Sequence, residues 1–177
     1  MSLNSCNKMK VNNDYYTPYN AWKNISKLLP KNKIILEACM LNAKLSKSKE
    51  NLEKLGFNVI GNYEWDFLNL PKNLNWDLIV SNIPFETDIK KKILVKMLEY
   101  DKPFIIIISY ISIFSKYMRD IFKDKFKDLQ VIIPDGKIHY YKLDTNKNST
   151  TYNNKNTSIY SVYLAYKMNI SNENLFL

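Results

Sequence analysis

Glycine is scarce in this chain, with three in 177 residues: Gly56, Gly61 and Gly136. With only 6 prolines as well, a collagen-like or Pro/Gly-rich low-complexity protein is excluded. Cysteine is limited to Cys6 and Cys39 and histidine to His139. That set is too small for a Cys/His zinc site or a disulfide framework, which predicts a reducing compartment and no structural metal. Long apolar runs are missing too. The longest, around Phe104 to Ile108, falls far short of the ~20 residues a membrane-spanning helix needs, and the N-terminus has no apolar signal region. The expectation is a soluble, intracellular (cytoplasmic) protein without a membrane partner.

What is present is globular. Hydrophobic residues make up 46% and aromatics 14% of the chain, enough for one domain with a single core. The net charge is +9, which favours a polyanion such as nucleic acid through phosphate neutralisation. Nearly all of that charge is lysine, Arg119 being the exception, and the surplus of Asn, Lys, Ile and Tyr also matches translation of an AT-rich genome. Both readings of the charge stay open.

Along the chain, residues 1–14 are polar and patternless and read as a tail ahead of a domain spanning 15–168, with a second tail at 169–177. Thr17-Pro18 has the form of an N-cap and first helical residue, with Ala21, Trp22, Ile25, Leu28 and Leu29 on one apolar face. Residues 33–39 read as a buried strand, and a helix over about 46–55 ends at Gly56. Strands follow at 57–60 and 76–80, with a short edge piece near 65–68 between them. A helix beginning at Thr87 places Lys90, Lys91 and Lys92 mostly on its solvent side. Residues 103–109 read as a strand, the apolar positions from Ile113 to Phe122 as a helix, and 129–133 as a strand. Residues 137–142 and 159–168 alternate as antiparallel strands do, and 143–157, rich in Asn, Thr, Lys and Ser, reads as a flexible loop. There is no internal repeat. Alternating strands and helices predict an α/β fold with a mostly parallel sheet, helices on both faces and an antiparallel C-terminal hairpin.

In such a sheet ligands bind beyond the carboxyl ends of the strands. The segments at those positions are Glu37-Ala38-Cys39-Met40-Leu41-Asn42-Ala43, then Asn62-Tyr63-Glu64, Asp66-Phe67, and Ser81-Asn82-Ile83-Pro84-Phe85. The last is the most informative. The Asn82 side-chain oxygen and the Ile83 carbonyl can accept hydrogen bonds from an exocyclic amine, Pro84 fixes the backbone, and Phe85 offers a stacking face. Two acceptors that favour the pyramidal, attacking amine lower the barrier to methyl transfer. An ordinary strand-to-helix turn with a core phenylalanine would carry the same tetrapeptide.

Tyr16-Thr17-Pro18, Glu37-Ala38-Cys39, Asp66-Phe67 and Asn82-Ile83-Pro84-Phe85 occur in an order and spacing that resemble the adenine-amino (N6) DNA methyltransferases. The likeness covers roughly residues 14–142 and is strongest to short phage and large-DNA-virus members. It implies a Rossmann-like class I methyltransferase fold, S-adenosylmethionine as cofactor and DNA, ahead of RNA, as substrate. Asn82, Pro84 and Phe85 would then be catalytic, with Ile83 against the target base; His139 and Tyr140, adjacent in the strand read at 137–142, are expected to reach the same base pocket. Thr17, Pro18, Glu37, Cys39, Leu41, Asn42, Glu64, Asp66 and Phe67 would lie along the cofactor.

Two departures bear on activity. The family's loop after the first strand carries glycines so that backbone can approach the cofactor, but Leu41 and Ala43 stand there, which predicts weak cofactor binding. The acidic residue expected for the ribose is replaced by Asn62 and Tyr63, with Glu64 one step late. An inactive relative that binds nucleic acid or a protein partner subunit therefore stays open, as does methylation of a protein amide. His139, as a lone histidine, also fits a structural role. Cys39 suits small apolar packing better than nucleophilic catalysis.

Overall fold

The computed structural model describes residues 15–39, 47–62, 64–70, 73–142 and 153–177. In chain order the elements are β1 (Tyr15–Tyr16), α1 (Tyr19–Ile25), β2 (Ile34–Leu36), α2 (Lys47–Lys54), β3 (Asn58–Ile60), β4 (Leu78–Asn82) and α3 (Thr87–Tyr100). They continue as β5 (Phe104–Ser109), α4 (Tyr110–Ile113), α5 (Lys116–Phe122), β6 (Leu129–Ile132), β7 (Ile138–Lys142), β8 (Asn153–Ile159) and β9 (Ser161–Tyr166).

Six strands form the main sheet in the order β3-β2-β4-β5-β9-β6. β3, β2, β4 and β5 are mutually parallel, and β9 inserts antiparallel to both β5 and β6. This is the α/β, Rossmann-like arrangement expected from the sequence, a mostly parallel sheet, with the last strand inserted antiparallel into that sheet where a separate hairpin was expected. Strand periodicity sorts the core into two layers. Ile35, Leu78, Val80, Ile105, Ile107, Tyr163 and Ala165 pack with Trp22 and Ile25 of α1 and Leu52 of α2. Leu36, Ile79, Phe104, Ile106, Ile108, Leu164 and Tyr166 face Ile93, Leu94 and Met97 of α3 and Met118 and Phe122 of α5. Helices therefore cover both faces, and near-continuous apolar strands such as Phe104–Ser109 are what burial on two faces requires.

Several local expectations are corrected. No strand forms near 65–68: the Asp66 carboxylate accepts from the Leu68 N–H and the Asn69 side chain, winding Phe67–Asn69 into a 3-10 turn instead of a ladder. The helix read from Ile113 to Phe122 is two short helices. Ser115 donates back to the Ser112 carbonyl at 2.6 Å, and Phe114, expected inward, is 83% exposed at the break. Gly56, with φ +83°, ends the α2 segment in the left-handed conformation that favours glycine.

The antiparallel hairpin is present, but it joins β7 to β8, so 153–157 of the presumed loop is strand. β1 pairs with β7 to complete a three-stranded antiparallel sheet. Residues 161–166, expected alongside 137–142, belong to the main sheet. The remainder of the expected loop, 143–152, and the N-terminal segment 1–14 lie outside the described residues.

Candidate active site

β4 ends at the carboxyl edge of the sheet with Ser81 and Asn82, neighbours that leave the strand on opposite faces. Each anchors a separate polar cluster. The Ser81 hydroxyl donates to Glu37 Oε1 at 2.5 Å, and the Cys39 backbone N–H donates to both Glu37 Oε1 and Ser81 Oγ at 3.2 Å. Glu37 is 3% exposed, and its second oxygen, Oε2, is buried without a hydrogen-bond partner among the described residues. Burial pushes its carboxyl up to about 7, against the smaller downward pull of the Ser81 and Cys39 hydrogen bonds. A buried carboxylate with one open oxygen at a strand's carboxyl end fits an ammonium group.

On the other face, Asn82 Nδ2 donates to the Thr17 hydroxyl at 3.0 Å. Thr17 is 4% exposed and does not cap α1: Pro18 occupies the cap position without a side-chain hydrogen bond. The carbonyl of Thr17 accepts from Asn51 Nδ2 at 3.5 Å, which ties the segment to α2. With its donor side engaged, Asn82 presents Oδ1 as a buried acceptor that has no hydrogen-bond partner among the described residues. Such an atom costs about 1–3 kcal/mol if left unmet, and in a folded protein it asks for an explanation.

The chain then turns through Ile83 and Pro84, both buried, to a half-buried Phe85. The Phe85 ring meets Tyr140 of β7 edge to face, centroids 5.9 Å apart at 88°. Tyr140 is fully buried, and its hydroxyl lies 2.9 Å from Ser161 Oγ. Burial also holds that phenol well above its ordinary range, so it stays a neutral buttress. Tyr140, expected against the target base, has no exposed face and instead backs the Phe85 ring.

The structure thus brings Thr17, Glu37, Cys39, Asn82, Ile83, Pro84, Phe85 and Tyr140 to one edge. His139 goes elsewhere. It alternates with Tyr140 along β7, is exposed, and lines a cavity of about 270 Å³ with Pro18, Asn20, Asn24 and Tyr141. This corrects the expectation that His139 and Tyr140 would share the base pocket. Glu64 is exposed; Asp66 has both carboxylate oxygens engaged within its own turn. Phe67 is completely buried against Tyr100, whose hydroxyl also donates to the Phe67 carbonyl at 3.1 Å. Leu41 and Asn42, with Ala43, lie outside the described residues, as does Tyr63.

Sequence reasoning missed Ser81, Asn51 and Lys90. Ser81 breaks an otherwise apolar strand, which was a readable signal. Lys90, expected on a solvated face, is 4% exposed and donates from Nζ to Ser112 Oγ at 3.0 Å. Its spacing gives it away: Lys90 stands three, four and seven residues before Ile93, Leu94 and Met97, on the buried stripe of α3. No group of His, Cys, Asp and Glu able to hold a metal occurs among the described residues.

No protein-family model and no curated protein sequence matches the chain. Among solved structures it is similar to a proposed RNA methyltransferase from Pyrococcus horikoshii, at 19% identity over 90% of each chain with a TM-score of 0.49. It is similar to the modification subunit of a proposed type I restriction enzyme from Vibrio vulnificus, at 12% identity and TM-score 0.46, over 87% of this chain but 44% of that one. A third is an S-adenosylmethionine-dependent methyltransferase from Thermotoga maritima, proposed to act on histamine, at 14% identity and TM-score 0.33, covering 84% of this chain and 91% of that one.

Proposed function

We propose that this chain is an S-adenosylmethionine-dependent methyltransferase acting on the exocyclic amine of adenine in nucleic acid, DNA ahead of RNA. One observation carries the reading: a buried amide oxygen, Asn82 Oδ1, without a partner among the described residues, at the carboxyl end of a parallel strand and three residues before an aromatic ring. An exocyclic amine N–H supplies the missing donor. Accepting from it, together with the Ile83 carbonyl, favours the pyramidal nitrogen whose lone pair is free to attack. Thr17 fixes the amide so that no reorganisation is needed, and Phe85, backed by Tyr140, stacks the base.

S-adenosylmethionine, when bound, supplies an electrophilic methyl group. Glu37 would hold its ammonium through the open Oε2, and Ser81 and the Cys39 amide keep the carboxylate aimed. Thr17, expected beside the cofactor, serves the amide acceptor.

The test is incubation with S-adenosylmethionine and adenine-containing DNA or RNA, followed by mass spectrometry of the released nucleosides. N6-methyladenine is expected, and Asn82→Ala should lower the rate constant about a hundredfold, since one preorganised group at a reacting centre is worth ~3 kcal/mol of barrier. Methyl groups found on protein amides in place of adenine, or unchanged turnover in Asn82→Ala, would overturn the reading.

A further inference from the structure

The carboxyl edge carries a second feature that the methyl-transfer site does not use. Where β5 ends, α4 and the break that follows it present Tyr110, Ile111 and Phe114 outward at 42%, 65% and 83% exposure. Tyr110 and Phe114 are four residues apart and so share one side of the turn. Tyr160, 58% exposed, precedes β9 and reaches the same edge because Ser109 and Ser161 are paired across the ladder. The Tyr110 N–H donates to the Tyr160 carbonyl at 3.1 Å, and the two rings meet edge to face at 5.8 Å. Lys137 Nζ sits 4.3 Å from the centre of the Tyr160 ring.

Large apolar side chains gathered on a soluble surface mark an interaction site. Cations accompany them: Lys137 lies over the Tyr160 ring, and Lys116 and Arg119 follow Phe114 in the chain. Lys116, Arg119 and Lys137 are all exposed, and none of them is in an ion pair among the described residues. Exposed aromatic rings beside cations that form no ion pair among the described residues, on a chain of net charge +9, suit bases that stack and phosphates that are neutralised. The patch is also continuous with the site: Ser161, next to Tyr160, holds the Tyr140 hydroxyl behind Phe85, and Ser112, inside the α4 turn, receives Lys90 from the start of α3.

We propose that Tyr110, Phe114 and the Tyr160–Lys137 pair form a stacking platform for unpaired nucleotides flanking the target base, so that the substrate is a single-stranded or locally opened polynucleotide. The proposal rests on the nucleic-acid reading above and adds to it the strandedness of the substrate. Stacking is sequence-tolerant because every base has a face, so the platform contributes grip and the Asn82 loop contributes choice.

The experiment is fluorescence anisotropy with labelled DNA and RNA of about 12 nucleotides, within the span a single domain covers: thymine- or uracil-only strands, the same strands with one central adenine, and a blunt duplex. Single strands should bind more tightly than duplex, and the DNA and RNA arms report whether the 2′-hydroxyl matters. The Tyr110→Ala, Phe114→Ala double variant should weaken binding of adenine-free single strands about tenfold or more with the salt slope unchanged. Lys137→Gln should instead reduce that slope by about one. Equal binding of duplex and single strand, full affinity in the double variant, or no binding at low salt would overturn the platform. The two proposals fail separately. Loss of binding in the double variant, with no adenine methylated by the parent protein, removes the methyltransferase reading and keeps the platform. Methylated adenine with normal binding in the double variant does the reverse.

Discussion

At the amino ends of the parallel strands, Asp77 accepts from the Ile34 N–H at 2.7 Å and from Lys33 at 3.3 Å, and Asp101 pairs with Lys167 at 2.7 Å. These groups are well exposed, and both carboxyls sit below their ordinary range, Asp77 chiefly through the Ile34 amide and Asp101 through Lys167. At the carboxyl ends stand Thr17, Glu37, Asn51, Ser81, Lys90, Ser112 and Ser161, which are all the buried polar or charged residues among those described. Two of the atoms gathered there, Glu37 Oε2 and Asn82 Oδ1, have no hydrogen-bond partner among the described residues. One edge of the sheet thus places its polarity in water and satisfies it; the other buries polarity and leaves it open. Groups kept at a cost in stability gather at functional sites more often than elsewhere.

The comparison breaks most visibly at Glu37. Its carboxyl is raised from an ordinary 4.5 to about 7 by burial, so the folded chain keeps a proton that the unfolded chain releases. The sign follows: the contribution to stability is present in full below pH 4.5 and is lost as pH rises through about 7, amounting to roughly 3 kcal/mol. Urea unfolding at pH 5 and pH 8 should show this loss in the parent protein, and Glu37→Gln should be nearly flat across the same interval. A ligand ammonium on Oε2 would favour the ionised form, so S-adenosylmethionine should bind more tightly at pH 8 than at pH 6 in the parent only. Matching pH profiles for parent and variant would place Glu37 with the solvated carboxylates of the other edge.

How much of this could be read beforehand depends on the range of the interaction. Glu37 and the Asn82–Phe85 loop were legible because both follow apolar strands, and the rule that ligands gather beyond the carboxyl ends of strands is local in sequence. Thr17 was legible as a helix cap and proved to be something else, since its hydroxyl partner lies 65 residues away, where no capping rule reaches. His139 and Tyr140 were grouped by adjacency, which strand periodicity forbids. β8 was read as loop because Asn153–Ile159 has little intrinsic strand preference; its pairing to β7 is tertiary. Lys90 was misread for the opposite reason: its helical spacing was available, but a run of three lysines suggested solvent.

A smaller effect is expected at Thr17, where the open edge can be disturbed without touching either unpaired oxygen. Thr17→Val keeps the shape and removes the acceptor for Asn82 Nδ2, leaving a buried donor unmet at a cost of about 1–3 kcal/mol. The amide is then free to turn. The rate constant should fall about tenfold, less than truncating Asn82 would cause because a mobile acceptor still acts part of the time. Thr17→Ser, which retains the hydroxyl, should recover most of it. If Thr17→Val changes only the Michaelis constant for S-adenosylmethionine, then Thr17 belongs to the cofactor, as the resemblance implied, and the orienting contact is incidental.

The smallest effect should come from the satisfied edge. Lys33→Ala removes an ion pair whose side chains are 48% and 38% exposed, while Asp77 keeps its bond from the Ile34 amide. Exposed pairs gain little in water because solvent screens them and two long side chains must be held still. Thermal melts at low salt should show a slight drop in Tm that vanishes at 1 M salt, where the screening length falls to about 3 Å. Methyl transfer should be unchanged, since the pair lies at the opposite end of the strands from Asn82. A salt-independent loss of stability comparable to the pH effect at Glu37 would mean that the amino edge also contains buried, unscreened electrostatics. The contrast between the two ends of the sheet would then be one of sequence and not of solvation.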